Sequence, residues 1–345
     1  MKFGHFDDAR KEYVIETPIK LYIELSSACN LNCKMCFRNS WFDEVPSLMS
    51  DATITQVKSA ILDKDVKTVF FGGMGEPLLH NRIFELIKFS NEHKKQTELI
   101  TNATLFTKDI SKKLAESGIG TVWISMDGFS KKSYETIRKG SLYQRIIENI
   151  SYFSSIKGNI KLGLTFVMMK ENLTELDKIN SFADEYGFDY INLSHVIPGE
   201  ELKRENAIYD LNYRVGKMHR FSNDENYEKQ LEYCPFIGED TCFIRSDGEI
   251  CPCMQLLHSS YSYLYEEKRK IHSYSFGNIN SKSLNEIYNS DEYIRFRDKV
   301  KKFDFPCCNY CLGCEDRKEN LTDCMYNERP TCGACLWAQG YIRCP

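Results

Sequence analysis

Cysteine placement constrains this chain more than any other feature. Of its 15 cysteines, three stand at 29, 33 and 36, and the other twelve lie between Cys234 and Cys344. The first residues, MKFGHFDDARKEYVIE, are charged where a secretory signal would be apolar, so the expected setting is the reducing cytoplasm. There, crowded cysteines are more often metal ligands or catalytic groups than disulfides. The segment from Cys234 onward is also poor in aliphatic residues, with short strands and Gly turns. A lobe of that kind needs staples, and metal clusters supply them.

Composition narrows the remaining classes. Lys and Arg total 45 against 49 Asp and Glu, a net charge of -4, which gives no general reason to expect a nucleic-acid partner. Hydrophobic residues at 42% and charged residues at 27% describe a globular chain. No apolar run approaches the ~18 residues of a membrane span. At roughly 150 residues per domain, 345 residues predict about two domains.

The first two hundred residues alternate strand and helix patterns. Strands are expected at 20–25 (KLYIEL), 67–71 (KTVFF), 97–101 (TELIT), 121–126 (TVWISM), 160–169 (IKLGLTFVMM) and 189–194 (DYINLS), each rich in β-branched and aromatic residues. Helical stretches at 53–64, 81–94, 107–118, 142–156 and 172–187 separate them, two of these ending in Gly118 and Gly187. Strands alternating with helices imply parallel βαβ units, and six units predict an incomplete barrel. Its working end is where the strands' C-terminal ends feed loops. The expected organisation is an N-terminal extension at 1–16, a barrel at 17–205, a polar bridging helix or linker at 206–232, and a cysteine-rich lobe at 233–345.

The first strand runs into SSACNLNCKMC, placing Cys29, Cys33 and Cys36 in a CxxxCxxC array. Three thiolates on one loop can hold three corners of a cubane iron–sulfur cluster and leave the fourth iron open. A zinc half-site is the alternative, although a closed zinc site needs a fourth ligand and none follows until Cys234. The array, directly after the first strand of a βα series, resembles the radical S-adenosylmethionine (radical SAM) superfamily. The residue before the third cysteine is usually aromatic in that family; here it is Met35, with Phe37 just after.

The resemblance implies the cofactors and their contacts. SAM would chelate the open iron of a [4Fe–4S] cluster, and one electron would cleave it to methionine and a 5′-deoxyadenosyl radical that abstracts hydrogen from substrate. FFGGMGEP resembles the family's GGEP element with one inserted residue, which implicates Gly72, Gly73, Gly75, Glu76 and Pro77, Glu76 accepting from the SAM ammonium. Asn102, Ser125 and Asp127, at the ends of the third and fourth strands, would face the ribose and methionine carboxylate, and Arg138 would pair with that carboxylate. Taken singly, Ser125 can cap, Asp127-Gly128 is an ordinary turn signal, and Arg138 can be a solvated helix residue. His195, after the sixth strand, is read as a structural histidine.

Farther on, Cys234-x13-Gly248-x4-Cys253 precedes Cys308-x2-Cys311-x2-Cys314, then Cys324, Cys332, Cys335 and Cys344. Zinc ribbons would suit the CxxC pairs. The pattern resembles the SPASM extension of radical SAM enzymes, which holds two auxiliary [4Fe–4S] clusters. The implied ligand pool is Cys234, Cys242, Cys253, Cys308, Cys311, Cys314, Cys324, Cys332, Cys335 and Cys344, with Cys251 and Cys307 as spares and the division between clusters open. Met254 stands where sulfatase-oxidising relatives carry an Asp, which argues against that substrate. The last seventy residues look most like maturases or cofactor-modifying proteins of tungsten-containing aldehyde ferredoxin oxidoreductases. The expectation is therefore a radical SAM enzyme, partial (β/α)6 barrel plus SPASM lobe, acting on a peptide, protein or cofactor. It would draw electrons from a low-potential donor such as ferredoxin or flavodoxin, without nucleic-acid or membrane partners. Alternatives are thioether, carbon–carbon or epimerising modification of a ribosomally made peptide, and a non-catalytic iron–sulfur or zinc-binding module.

Overall fold

The computed structural model describes residues 5–7, 12–14, 17–199, 232–264, 267–311 and 313–340. The segment expected to bridge at 206–232 lies almost wholly outside them, and so does Cys344.

Strands β1 (His5–Asp7) and β2 (Glu12–Val14) pair as an antiparallel hairpin ahead of the barrel. Six strands then pair in parallel in chain order: β3 (Lys20–Ile23), β4 (Thr68–Phe71), β5 (Gln96–Thr101), β6 (Thr121–Ser125), β7 (Lys161–Met168) and β8 (Tyr190–His195). Each overlaps the segment that its β-branched and aromatic residues predict. Alternate residues bury one face, with Leu21, Ile23, Val69, Phe71, Leu99, Val122, Ile124, Leu162 and Leu164 fully enclosed.

Helices α1 (Asp51–Ile61), α2 (Ile83–Glu92), α3 (Lys108–Glu116), α4 (Lys131–Ile137), α5 (Tyr143–Ile156) and α6 (Ile179–Glu185) connect the strands, α6 being preceded by a 3-10 segment at Lys170–Lys178. Ser50 and Thr107 accept the backbone N–H of Thr53 and Ile110, closing the first turns of α1 and α3. Gly118 and Gly187 take positive φ values of 80° and 70° just past α3 and α6, where a left-handed residue ends a helix. α4 has no counterpart among the expected helices; its seven residues, KKSYETI, carry too little apolar periodicity to announce it.

The C-terminal lobe contains α7 (Pro235–Gly238), β9 (Thr241–Ile244), β10 (Ile250–Cys251), a hairpin of β11 (Ser260–Leu264) and β12 (Glu267–Ile271), α8 (Leu284–Tyr288) and α9 (Asp291–Lys302). β9 lies parallel against β3, Cys242 opposite Leu21, and β10 turns back along β9. The sheet thus has eight strands, β10-β9-β3-β4-β5-β6-β7-β8, two of them from beyond the expected boundary at 233. Tyr293, Phe296 and Val300 of α9 join the same core as Leu21 and Ile23. No helix among the described residues is long and apolar enough to cross a membrane.

Candidate active site

The loop after β3 carries Cys29, Cys33 and Cys36 to the C-terminal edge of the sheet. It is fastened on two sides. Asn32 N and Lys34 N donate to the carbonyls of Lys139 and Ile137 at the end of α4, and Glu76 N donates to Ala28 O at 2.8 Å. Gly75 makes the second attachment possible: a Cβ there would lie 2.2 Å from Ser26 O and 2.4 Å from Ala28 O. Its glycine character serves this backbone-to-backbone contact.

The three cysteines open onto a cavity of about 240 Å³. Gly73, Gly75, Glu76, Asn102, Ser125 and Arg138 share its wall. Asn102 Nδ2 donates to Asn30 Oδ1 at 3.0 Å and reaches Cys29 Sγ at 3.7 Å, so the end of β5 braces the cysteine loop. Glu76, 2% exposed, accepts from Thr101 Oγ1 and Leu78 N through Oε1 and from Asn102 N through Oε2. A carboxylate offers about four lone-pair sites, so three bonds leave room for one further donor.

Three expected contacts stand elsewhere. Gly72 does not line the cavity; a Cβ there would strike Ile100 and Phe70 at 2.5 and 2.6 Å, so it serves packing. Pro77 is buried at the first position of a 3-10 turn, Pro77–Leu79. Asp127, fully enclosed, faces protein rather than the cavity: Oδ2 accepts from Arg138 Nε at 2.7 Å and Oδ1 from Val167 N at 2.7 Å. In this position Asp127 orients Arg138. Burial works against the Arg138 charge, but Asp127 and the nearby Cys33 sulfur outweigh it and raise the pKa. Burial in turn pushes the Cys33 thiol up to about 12, against the pull of Arg138. Coordination to a metal centre would hold it as thiolate.

Other lining residues carry no motif in the sequence. His195, set aside in the sequence reading, lines the cavity at 6% exposure, with Met74, Met254, Ile197 and Trp337. The Trp337 indole N–H, that side chain's only polar group, has no acceptor among the described residues although it is buried. A donor in that condition costs about 1–3 kcal/mol until a ligand accepts from it.

The C-terminal thiols sort into groups. Cys332 feels the charges of Cys234, Cys253 and Cys335, Cys253 those of Cys234 and Cys335, and Cys234 that of Cys335; Cys234, Cys253 and Cys335 pack on one apolar cluster with Phe236 and Trp337. Trp337 N and Ala338 N donate to the Cys335 sulfur. Cys308, Cys311 and Cys314 follow one another on a chain of backbone hydrogen bonds, and Cys308 feels the charges of Cys311 and Cys324. Cys242 belongs to neither group. Its place on β9 turns it into the aliphatic core near Tyr293 and Arg297, apart from both thiol groups. Cys251 is buried beside Arg245, and the Cys307 thiol donates to Gln339 Oε1 at 2.9 Å. Among the described residues no three His, Cys, Asp or Glu side chains are spaced to hold a single metal ion.

A thiol triad beside a carboxylate with one open acceptor site and a fixed guanidinium fits a cluster plus an amino-acid-like ligand. A four-thiol group behind Trp337 fits a second cluster.

Comparison with known proteins gives the following. The Radical SAM superfamily profile matches residues 23–183. The SPASM profile, an iron–sulfur cluster-binding domain, matches residues 234–315. A tungsten-containing aldehyde ferredoxin oxidoreductase cofactor-modifying protein of Pyrococcus furiosus is 31% identical over 94% of this chain and 96% of its own. Among solved structures, anSMEcpe with bound AdoMet (SAM) shares 20% identity at a TM-score of 0.60, covering 86% of each chain. SuiB of Streptococcus suis bound to precursor peptide SuiA shares 19% at 0.59, covering 82% of this chain and 67% of that one.

Proposed function

From a chain that belongs to the radical SAM superfamily, and to its SPASM enzymes, we propose a maturase that acts on a tungsten-dependent oxidoreductase, on its cofactor or on an associated peptide. The observation that carries this is the 31% identity to the Pyrococcus furiosus protein across nearly the full length of both chains. The cofactors are those of the family: SAM, a SAM-binding [4Fe–4S] cluster and auxiliary iron–sulfur clusters.

Cys29, Cys33 and Cys36 would hold the SAM-binding cluster, and when bound it supplies the electron that splits the SAM sulfonium and yields the 5′-deoxyadenosyl radical. Glu76 offers its remaining acceptor site to the ammonium. Arg138, aimed by Asp127, would pair with the carboxylate, and Ser125 and Asn102, on the same cavity wall, would offer polar groups to the ribose. Met74, Met254 and Ile197 give the cavity apolar lining, which keeps water from a reactive carbon centre. The buried Trp337 indole can donate one hydrogen bond, so a substrate presenting an acceptor oxygen or nitrogen matches the wall. Cys234, Cys253, Cys332 and Cys335 would hold one auxiliary cluster. Cys308, Cys311, Cys314 and Cys324 are the pool for a second, with Cys344 outside the described residues. A ferredoxin- or flavodoxin-like donor in a reducing cytoplasm is the implied electron source.

The test is anaerobic reconstitution with iron and sulfide, then SAM and dithionite. 5′-Deoxyadenosine should form with the wild-type protein and not with a Cys29/Cys33/Cys36→Ala variant, which should still retain about eight irons if two auxiliary cubanes are present. Formation at equal rates in both would end the site assignment. Incubation with an apo tungsten oxidoreductase, its pterin cofactor or a short peptide encoded beside it should then give a mass change in one of the three. A change confined to an unrelated precursor peptide would favour the second reading, ribosomal-peptide modification, which draws on a peptide-bound protein of the same fold.

A further inference from the structure

The turn read as the SAM-ammonium site is itself held from behind by a buried charged group that no part of that reading uses. Glu24 directly follows β3 and is 1% exposed. Its Oε1 accepts from Met74 N at 2.8 Å, and its side chain fills the space beside Gly73, where a Cβ would lie 2.6 Å from Glu24 Cγ. Its Oε2 faces His258 Nε2 at 2.8 Å. The other ring nitrogen, Nδ1, faces Glu44 Oε2 at 3.0 Å, and Glu44 Oε1 accepts from Ser259 N at 2.8 Å. The Trp41 ring stacks on the imidazole at 4.3 Å between centroids.

This arrangement has a direction. His258 belongs to the C-terminal lobe, five residues beyond Cys253, whereas Glu24, Gly73 and Met74 belong to the barrel. Glu24 is buried, and a carboxylate taken out of water holds its position only with hydrogen-bonding partners. With His258 present it spans the gap between the imidazole and the Met74 amide. Without it, the carboxylate turns toward water, and the Gly73–Glu76 turn loses its backing. We propose that His258 is a positioning residue through which the C-terminal lobe shapes the SAM turn, acting by way of Glu24 on Gly73 and Met74. The inference rests on the reading of that turn as the SAM site.

The experiment compares reconstituted wild type with His258→Phe, His258→Gln and Glu44→Gln. It records iron content, SAM binding by equilibrium dialysis, and kcat and KM for 5′-deoxyadenosine formation without substrate. The Phe variant should keep its iron, raise the KM for SAM and the dialysis Kd about tenfold, and change kcat by less than about threefold. The Gln variant at 258, which can donate to one carboxylate but not bridge two, should fall between. Glu44→Gln should show a smaller rise in the same direction. A wild type that cleaves no SAM would overturn the site reading and this inference with it. A wild type that cleaves SAM, with iron-replete variants within twofold of it in KM and Kd, would overturn the latch alone. Should the Phe variant lose iron, the two Gln variants decide by the same criterion.

Discussion

At the residue scale, burial separates cysteines that spacing cannot. Cys242 and Cys253 look alike in sequence, each a cysteine in a short strand-rich segment after Cys234. Cys253 sits with three other thiols and Cys242 packs among aliphatic and aromatic side chains. Cys253→Ala should therefore remove about four irons from the reconstituted protein, and Cys242→Ala none. The latter should lower stability by about 1–2 kcal/mol through lost packing alone. Iron and sulfide analysis with anaerobic thermal melts checks both, and an iron loss in Cys242→Ala would restore it as a ligand. His258 supplies a second test at this scale. Burial alone would lower its pKa, but bonds to Glu24 and Glu44 outweigh that and push it up to about 9 from 6.5. The other charges nearby are Arg245, which is paired with Asp247 and acts on Glu44, and Arg38, over the Trp41 ring. A folded pKa above the unfolded one means stability that is complete below about 6.5 and disappears as pH rises through about 9. The amount is on the order of 3 kcal/mol, so the melting advantage of wild type over His258→Gln should be largest at about pH 6, smaller at neutral pH, and vanish at about pH 10. An advantage independent of pH would mean that the imidazole is already neutral.

At the scale of elements, what the sequence shows and hides follows from range. The strand segments were legible because each buries alternate β-branched and aromatic residues and is bounded by its own polar ends. The order of Cys29, Glu76, Asn102, Ser125 and Arg138 along successive units was legible for the same reason, since every parallel unit returns to one edge. The contact of β9 with β3 was not. It joins Leu21 to Cys242 across more than two hundred residues, and no local period records a pairing partner. The direction of Asp127 was hidden because its loop position is visible in sequence while its direction depends on Val167 and Arg138, brought in by other elements. Packing between two such loops gives a third prediction. Gly75→Ala sets a Cβ against the backbone carbonyls of Ser26 and Ala28, whereas the atoms nearest a Gly73→Ala Cβ belong to the Glu24 side chain, which can yield more than backbone. Gly75→Ala should lower SAM cleavage more than about a hundredfold and Gly73→Ala roughly tenfold, chiefly in KM, as measured by 5′-deoxyadenosine release. Equal effects would mean that the turn is not packed on the cysteine loop.

At the scale of the whole molecule, the two regions matched separately by the superfamily and SPASM profiles share one sheet and one core. Removing residues after 232 would strip β9 from the outer edge of β3, uncover Leu21 and Ile23, and leave unpaired the N–H and C=O groups that β9 now satisfies. It would also remove Tyr293, Phe296 and Val300 from the core that α9 completes, and His258 from Glu24. An open hydrophobic strand edge invites association with other chains, and it lies on the strand that delivers Cys29, Cys33 and Cys36. The barrel segment alone, ending at residue 232, should therefore express as aggregate or as a soluble form without a cooperative melt, and should bind well under four irons after reconstitution. Sedimentation, near-ultraviolet circular dichroism and iron analysis check this. A soluble, cooperatively melting fragment with about four irons and SAM cleavage near the full-length rate would show that the barrel is autonomous. The shared sheet would then be a docking surface between finished domains, and the Glu24–His258 contact an ornament of it. If the fragment fails as expected, the auxiliary lobe has a role that precedes any electron transfer: it completes the strand on which the radical site is built.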